Sequence, residues 1–214
     1  VLDSLEKGPN ADNTIVVLWS DHGWHLGEKE HWQKFTVWRV CSRVPLLIRV
    51  PKGSPGLSAG TTMSRCSKPV NLLSLAPTLL ELAGLPSSKV HDGPSLVPLL
   101  ENPKSNWTHV SLTHLHHPGS FGLSDEGWRY IRYAGGGEEL YDIRNDPYEW
   151  SNLAGDKKHV KTLERLRKKA PVKFAKVVEP KLEALPALKW KPLAKGAKIP
   201  PSQPDGATFE VTFV

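Results

Sequence analysis

The sequence predicts an α/β fold that closes on a small subdomain of antiparallel sheet and helix. Three features carry this. Residues 15–19 and 44–50 hold short apolar runs without polar alternation, the pattern of strands covered on both faces in a parallel sheet. Residues 75–83 repeat leucines at helical spacing. Beyond residue 110 the texture changes to alternating strands around Gly135-Gly136-Gly137, followed by a basic amphipathic stretch.

The first strand emerges from polar Asn13-Thr14 and runs through Ile15-Val16-Val17-Leu18-Trp19 to Ser20. The second, Val44-Pro45-Leu46-Leu47-Ile48-Arg49-Val50-Pro51, is limited to about six residues by its prolines. A loop rich in His, Trp and Gly separates them, and a Gly/Ser/Thr loop fills 53–68. In the helix at 75–83, Ser74 is the expected N-cap, Pro77 falls in the first turn, and Gly84 and Pro86 end it. Asp92-Gly93-Pro94 turns the chain into a short apolar piece at 96–100. Residues 110–113 and 139–142 are strand candidates, and Trp128-Arg129-Tyr130-Ile131-Arg132-Tyr133 alternates as a half-exposed strand should. Residues 160–169 form a basic helix with Leu163 and Leu166 inward. Past Pro171 the Lys/Pro/Ala-rich chain reads as an extended arm, with one more strand candidate at 208–214. The expected domains are 1–109, 110–170 and the extension 171–214.

Hydrophobic residues are 39% and charged residues 23% of the 214, a globular composition. No apolar run is long enough to span a membrane. The net charge of +6 is uneven: residues 157–198 carry fourteen Lys/Arg against three Glu. The basic excess belongs to the tail, so the overall charge gives no ground for a nucleic-acid partner. Cys41 and Cys66 fit no zinc or redox motif and are expected to be free thiols. The chain starts at Val1 and soon enters a core strand, so it reads as a piece of a longer protein.

The chemistry concentrates in Ser20-Asp21-His22-Gly23-Trp24-His25-Leu26-Gly27-Glu28. In open α/β sheets, ligands sit beyond the carboxyl ends of strands, where Asp21 and His22 fall. Asp21 offers a hard oxygen to Ca²⁺ or Mg²⁺, and His22 a nitrogen. Lys34, in Trp32-Gln33-Lys34-Phe35, is a point charge for an anion. Singly, these residues read as a turn cap, a loop histidine and a surface lysine.

Together they resemble the type I sulfatases, and within them the iduronate-2-sulfatase-like branch. Ser-Asp-His-Gly-Trp-x-Leu-Gly-Glu is followed in order by Trp32-x-Lys34 and Arg43-Val44-Pro45-Leu46. Pro77-Thr78-Leu79-Leu80-Glu81-Leu82-Ala83-Gly84 and Asp92-Gly93-x-Ser95-Leu96 come next, then Leu140-Tyr141-Asp142 with Asp146-Pro147-x-Glu149-x-x-Asn152-Leu153. The resemblance covers residues 13–155. It implies the C-terminal part of an alkaline-phosphatase-like sulfatase fold and a sulfuric ester hydrolase acting on a sulfated small molecule or glycan. It also implies one Ca²⁺ held by Asp21 and His22, and Lys34 on the sulfate as a catalytic group. His25 and His31 lie in the same loop and are candidates to line the substrate pocket, with structural support of the loop as their alternative. A periplasmic or secreted location follows from the family. Many sulfatases carry Asn at the position of His22, and histidine there matches the iduronate-type branch.

The family's nucleophile is a formylglycine made from Cys or Ser in C/S-x-P-x-R. Cys41 sits in Cys-Ser-Arg-Val-Pro and Cys66 in Cys-Ser-Lys-Pro-Val, and neither fits. The resemblance therefore places the nucleophile before Val1, and the fragment alone is expected to be inactive. The alternatives are another metal hydrolase of the alkaline-phosphatase superfamily and a non-catalytic binder of sulfated glycan. His114, His116 and His117 read as a loop, with a place near the substrate pocket as their functional alternative. Asn106-Trp107-Thr108 is a sequon, meaningful only in a eukaryotic secretory protein.

Overall fold

A computed structural model describes residues 1–176. The expected arm over 171–214 and the strand at 208–214 lie outside the described residues from 177 onward. Helix α1 (Leu2–Glu6) leads into β1 (Val16–Trp19), followed by the short strands β2 (His25–Leu26) and β3 (Trp32–Gln33). Then come α2 (Arg39–Ser42), β4 (Leu46–Arg49), α3 (Leu75–Leu82) and α4 (Val97–Glu101). The order closes with β5 (Ser111–His114), β6 (Phe121–Ser124), β7 (Trp128–Arg132), β8 (Glu138–Asp142) and α5 (Val160–Arg167).

The two apolar runs pair with each other, but not as expected. β1 and β4 form an antiparallel ladder with Val17 opposite Ile48 and Trp19 opposite Leu46. Nor is the first strand buried: Leu18 is 58% and Trp19 51% exposed, and Leu47 across the ladder is 57% exposed. An unbroken apolar run shows that both faces of a strand are apolar. It does not show that this chain covers both. The covered side rests on Val50, Leu57, Leu82 and Val97, with Ile15 and Ile48 packed against them.

The α3 helix forms where predicted, though its N-terminal signal sits earlier. Ser74 makes no capping bond; Asn71 caps the preceding turn, its side chain accepting from Leu73 N. The Asn71 amide also donates to the Leu112 carbonyl at 2.6 Å, tying this helix to β5. Thr78 Oγ1 accepts from Leu96 N at 2.8 Å, which fixes the turn into α4.

The C-terminal sheet runs β5-β6-β7-β8, antiparallel throughout. Phe121, Leu123, Tyr130 and Leu140 share one face, and Leu163 and Leu166 of α5 cover it. The opposite face carries Ile131 and Tyr141, and Val37 and Trp38 from the loop before α2 pack on it. β7 is thus buried on both faces, and the half-exposed reading of it does not hold: Arg129 is 3% exposed. A basic residue in alternation suggests solvent, but here a buried partner takes its place.

β8 and α5 are joined at Glu138, whose carboxylate accepts from Arg167 Nε at 2.8 Å and from Tyr130 OH at 2.5 Å. The Arg167 bonds, and then Tyr130, hold this carboxyl below its usual 4.5. A depressed carboxylate stabilises the fold above its unfolded value and loses that contribution as pH falls through the folded one. Glu138→Gln is therefore expected to cost up to about 1 kcal/mol at neutral pH, since Arg167 is half exposed. The difference should begin to fade as pH falls through 4.5 and be lost once pH has fallen through the lower folded value, measured by urea unfolding across pH.

Candidate active site

At the carboxyl end of β1 the chain turns sharply, and Gly23 is what lets it. Gly23 N donates to Cys41 O at 2.7 Å, and a Cβ at Gly23 would lie 2.0 Å from the Val40 carbonyl oxygen. Only glycine allows that approach to α2. The contact sets Asp21 and His22 at the strand end.

His22 Nδ1 lies 2.8 Å from the Gly23 carbonyl, which can only accept, so the ring proton sits on Nδ1. In the neutral ring Nε2 then accepts, and Lys34 Nζ stands 3.1 Å from it. Asp21 Oδ2 is 3.3 Å from the same nitrogen, its side chain 81% exposed. A carboxylate, an imidazole and an ammonium therefore meet at one point, although Lys34 follows Asp21 only after the intervening β2–β3 hairpin.

The loop that delivers Lys34 is strained. Lys29, Glu30, Gln33 and Phe35 all have positive φ, and among the other described non-glycine residues only Glu149 does. His31 supports it by donating from Nε2 to the Lys34 carbonyl at 3.1 Å. His25, expected to touch substrate, is fully buried instead. Its Nδ1 meets the Glu28 carbonyl at 3.1 Å, its Nε2 accepts from Thr36 Oγ1 at 2.7 Å, and its ring edge packs on Trp38. Both nitrogens are occupied within the loop, so His25 presents neither to a ligand in this structure. Polarity gave no hint of this in the sequence.

For a metal, Asp21 and His22 are suitable donors but few. Among the described residues no group of three or more His, Cys, Asp or Glu is gathered to hold an ion. Ca²⁺ takes roughly six to eight oxygen ligands. The exposed Asp21 carboxylate fits as one such ligand, while the His22 nitrogen is shared with Lys34. Cys41 is buried and Cys66 exposed, both free thiols as expected. His114, His116 and His117 are exposed at the end of β5 and in the turn after it.

A family model described as N-sulphoglucosamine sulphohydrolase, C-terminal, matches residues 27–175. That span includes Lys34 and begins after Asp21, His22 and His25. A protein of Formosa agariphila named Sulfatase is 37% identical over 171 residues, 80% of this chain and 32% of that protein. A structure solved with its substrate D-glucosamine-2-N,6-O-disulfate superposes with a TM-score of 0.61 at 28% identity, over 78% of this chain and 37% of that one. The phosphonate monoester hydrolase of Agrobacterium radiobacter superposes at 0.62 with 26% identity, over 78% of this chain and 36% of its own. The architecture is the C-terminal part of an alkaline-phosphatase-like fold. The chain belongs to the sulfatase family. It spans about a third of the length of the curated relatives it matches.

Proposed function

We propose that the full-length protein hydrolyses sulfate esters, most naturally those of sulfated carbohydrates, and that this chain supplies one wall of the site. The observation that carries this reading is the convergence of Asp21 Oδ2 and Lys34 Nζ on His22 Nε2 within 3.3 Å. The relative bound to a glucosamine disulfate supports the carbohydrate class. His22 in place of the family's commoner asparagine supports the iduronate-type branch.

Each residue has a distinct task. Lys34 donates to a sulfate oxygen and offsets the charge that grows there as the ester bond breaks. Before the anion arrives, His22 Nε2 accepts from the ammonium and keeps it pointed into the site. Asp21 would give a hard oxygen to Ca²⁺, and His22 its nitrogen, once Lys34 turns to the anion. A bound divalent cation supplies Lewis-acid polarisation of the sulfate oxygens. His25 and His31 shape the loop rather than touch the ester. No cysteine or serine of this sequence stands in a C/S-x-P-x-R frame, so the nucleophile belongs to another part of the full-length protein.

The phosphonate-hydrolase likeness defines the rival. Purified full-length protein should turn over an aryl sulfate with a higher kcat/KM than the matching aryl phosphonate monoester. The reverse order, or two tightly bound zinc ions by metal analysis, would overturn the sulfatase reading. Asp21→Asn is expected to abolish the rise in melting temperature on adding calcium, and an unchanged rise would remove Asp21 from the ligand set.

A further inference from the structure

We propose that Glu149 and Arg129 are positioning residues for the Lys34–His22 pair, acting through α2, a role that rests on the sulfate-site reading above. Both are almost fully buried, yet neither belongs to the candidate site. Arg129 reaches from β7 through the sheet's inner face. Its Nη2 donates to the Val37 carbonyl and, at 2.5 Å, to Ser42 Oγ, while Nη1 donates to Ser124 Oγ at 2.6 Å. Glu149 Oε2 accepts from Arg39 N at 2.7 Å. The two charges face each other, Arg129 Nε lying 3.8 Å from Glu149 Oε1. Among the described residues these two atoms have no hydrogen-bond partner. The pair thus grips α2 and the residues just before it from two sides.

That segment holds both halves of the site. Cys41 O receives Gly23 N, which places His22. Thr36, next to Val37, hydrogen-bonds His25, and two residues earlier stands Lys34. A second strap meets the strained part of the loop. Lys29 Nζ donates to Tyr141 OH at 3.1 Å and to the Glu149 carbonyl, and lies 4.7 Å from the ring centroids of Trp38 and Tyr141. Trp38 Nε1 donates to Glu139 at 2.7 Å. The positive φ of Glu149 and those of the Lys34 loop therefore lie on the two sides of one contact. Gly122 belongs to the same device: a Cβ there would meet Arg129 Nη2 at 2.8 Å and Val37 at 2.9 Å.

The test is a double-mutant cycle in the full-length protein, read as the dissociation constant for inorganic sulfate by calorimetry, with melting temperature as the check on folding. Lys34→Ala should weaken sulfate. Glu149→Gln, which keeps an acceptor for Arg39 N, should weaken it by about tenfold, the scale of a sub-ångström misplacement. In the Lys34→Ala background Glu149→Gln should add nothing, because a group that acts through Lys34 has nothing left to position. Arg129→Lys keeps the charge, loses the fork, and should behave alike if Glu149→Gln does not fold. Native-state tryptic cleavage after Lys34 should quicken in either variant. Equal weakening in both backgrounds, or unchanged affinity and cleavage, overturns the positioning role. Unchanged affinity in Lys34→Ala overturns the site reading itself and the positioning role with it, whereas loss there alone overturns only the role of Glu149 and Arg129.

Discussion

Lys34→Ala in the full-length protein is expected to cut sulfate-ester turnover by about 10²–10³-fold, the cost of removing one fixed donor from developing negative charge. Stability should change by less than about 0.5 kcal/mol, as for a half-exposed side chain outside the core. The separation of effects has a local cause. The Lys34 carbonyl is held by His31 and the loop by the His25–Thr36 bond, and neither uses the ammonium. Truncation removes the charge and leaves its platform. If the ammonium acts on the transition state, kcat should fall with kcat/KM; a rise in KM alone would mean that it only binds. Near-normal turnover on an aryl sulfate, with the loop intact, would refute the role given to Lys34. Lys34→Arg retains charge but replaces a compact ammonium with a planar fork. It should recover part of the loss, and its geometry keeps it short of the native rate.

What the sequence made legible follows from how far each interaction reaches along the chain. The helix at 75–82, the basic helix at 160–167 and strands β5, β7 and β8 are local patterns and lie within a residue or two of expectation. Asp21, His22 and Lys34, bland one by one, stand out only through the ordered motifs that run on from their loop to Asp146-Pro147 and carry the family resemblance. β6 was not expected at all, since Gly122 interrupts a run of only four residues. The same glycine is demanded by Arg129 and Val37, which no local pattern reports. Arg129 reads as a solvent-facing residue in an alternating strand, yet its acceptor is 92 positions away. Glu149 lies within the Asp146-Pro147 signature, and its link to Arg39 spans 110 positions. Spacing fixes neither pairing. The antiparallel register of β1 and β4 was equally hidden, because an apolar run carries no direction.

The largest stability effect should come from breaking the buried pair on one side only. Arg129→Ala leaves the Glu149 carboxylate, the Val37 carbonyl and the Ser42 hydroxyl buried without their partner. Losing one member of such a pair costs about 3–5 kcal/mol. Burial pushes the Glu149 carboxyl up from its usual 4.5, while Arg129 pulls it back, so the variant raises it further. A carboxyl with a raised folded value keeps its stabilising contribution below the unfolded value and loses it as pH rises through the folded one. The penalty of Arg129→Ala should therefore be greatest at neutral pH and shrink as pH falls toward the unfolded value of 4.5, as the buried Glu149 carboxyl takes up its proton in the folded variant. Arg129 itself, lowered by burial to about 10, stays charged across this range, so the trend belongs to Glu149. Urea unfolding of the variant from pH 4.5 to 7.5 measures the trend. Arg129→Met with Glu149→Leu should be less damaging than Arg129→Ala alone, since it removes both charges and keeps the volume. A pH-independent penalty, or a double variant worse than the single, would mean that Arg129 stabilises by packing rather than by compensating the carboxylate.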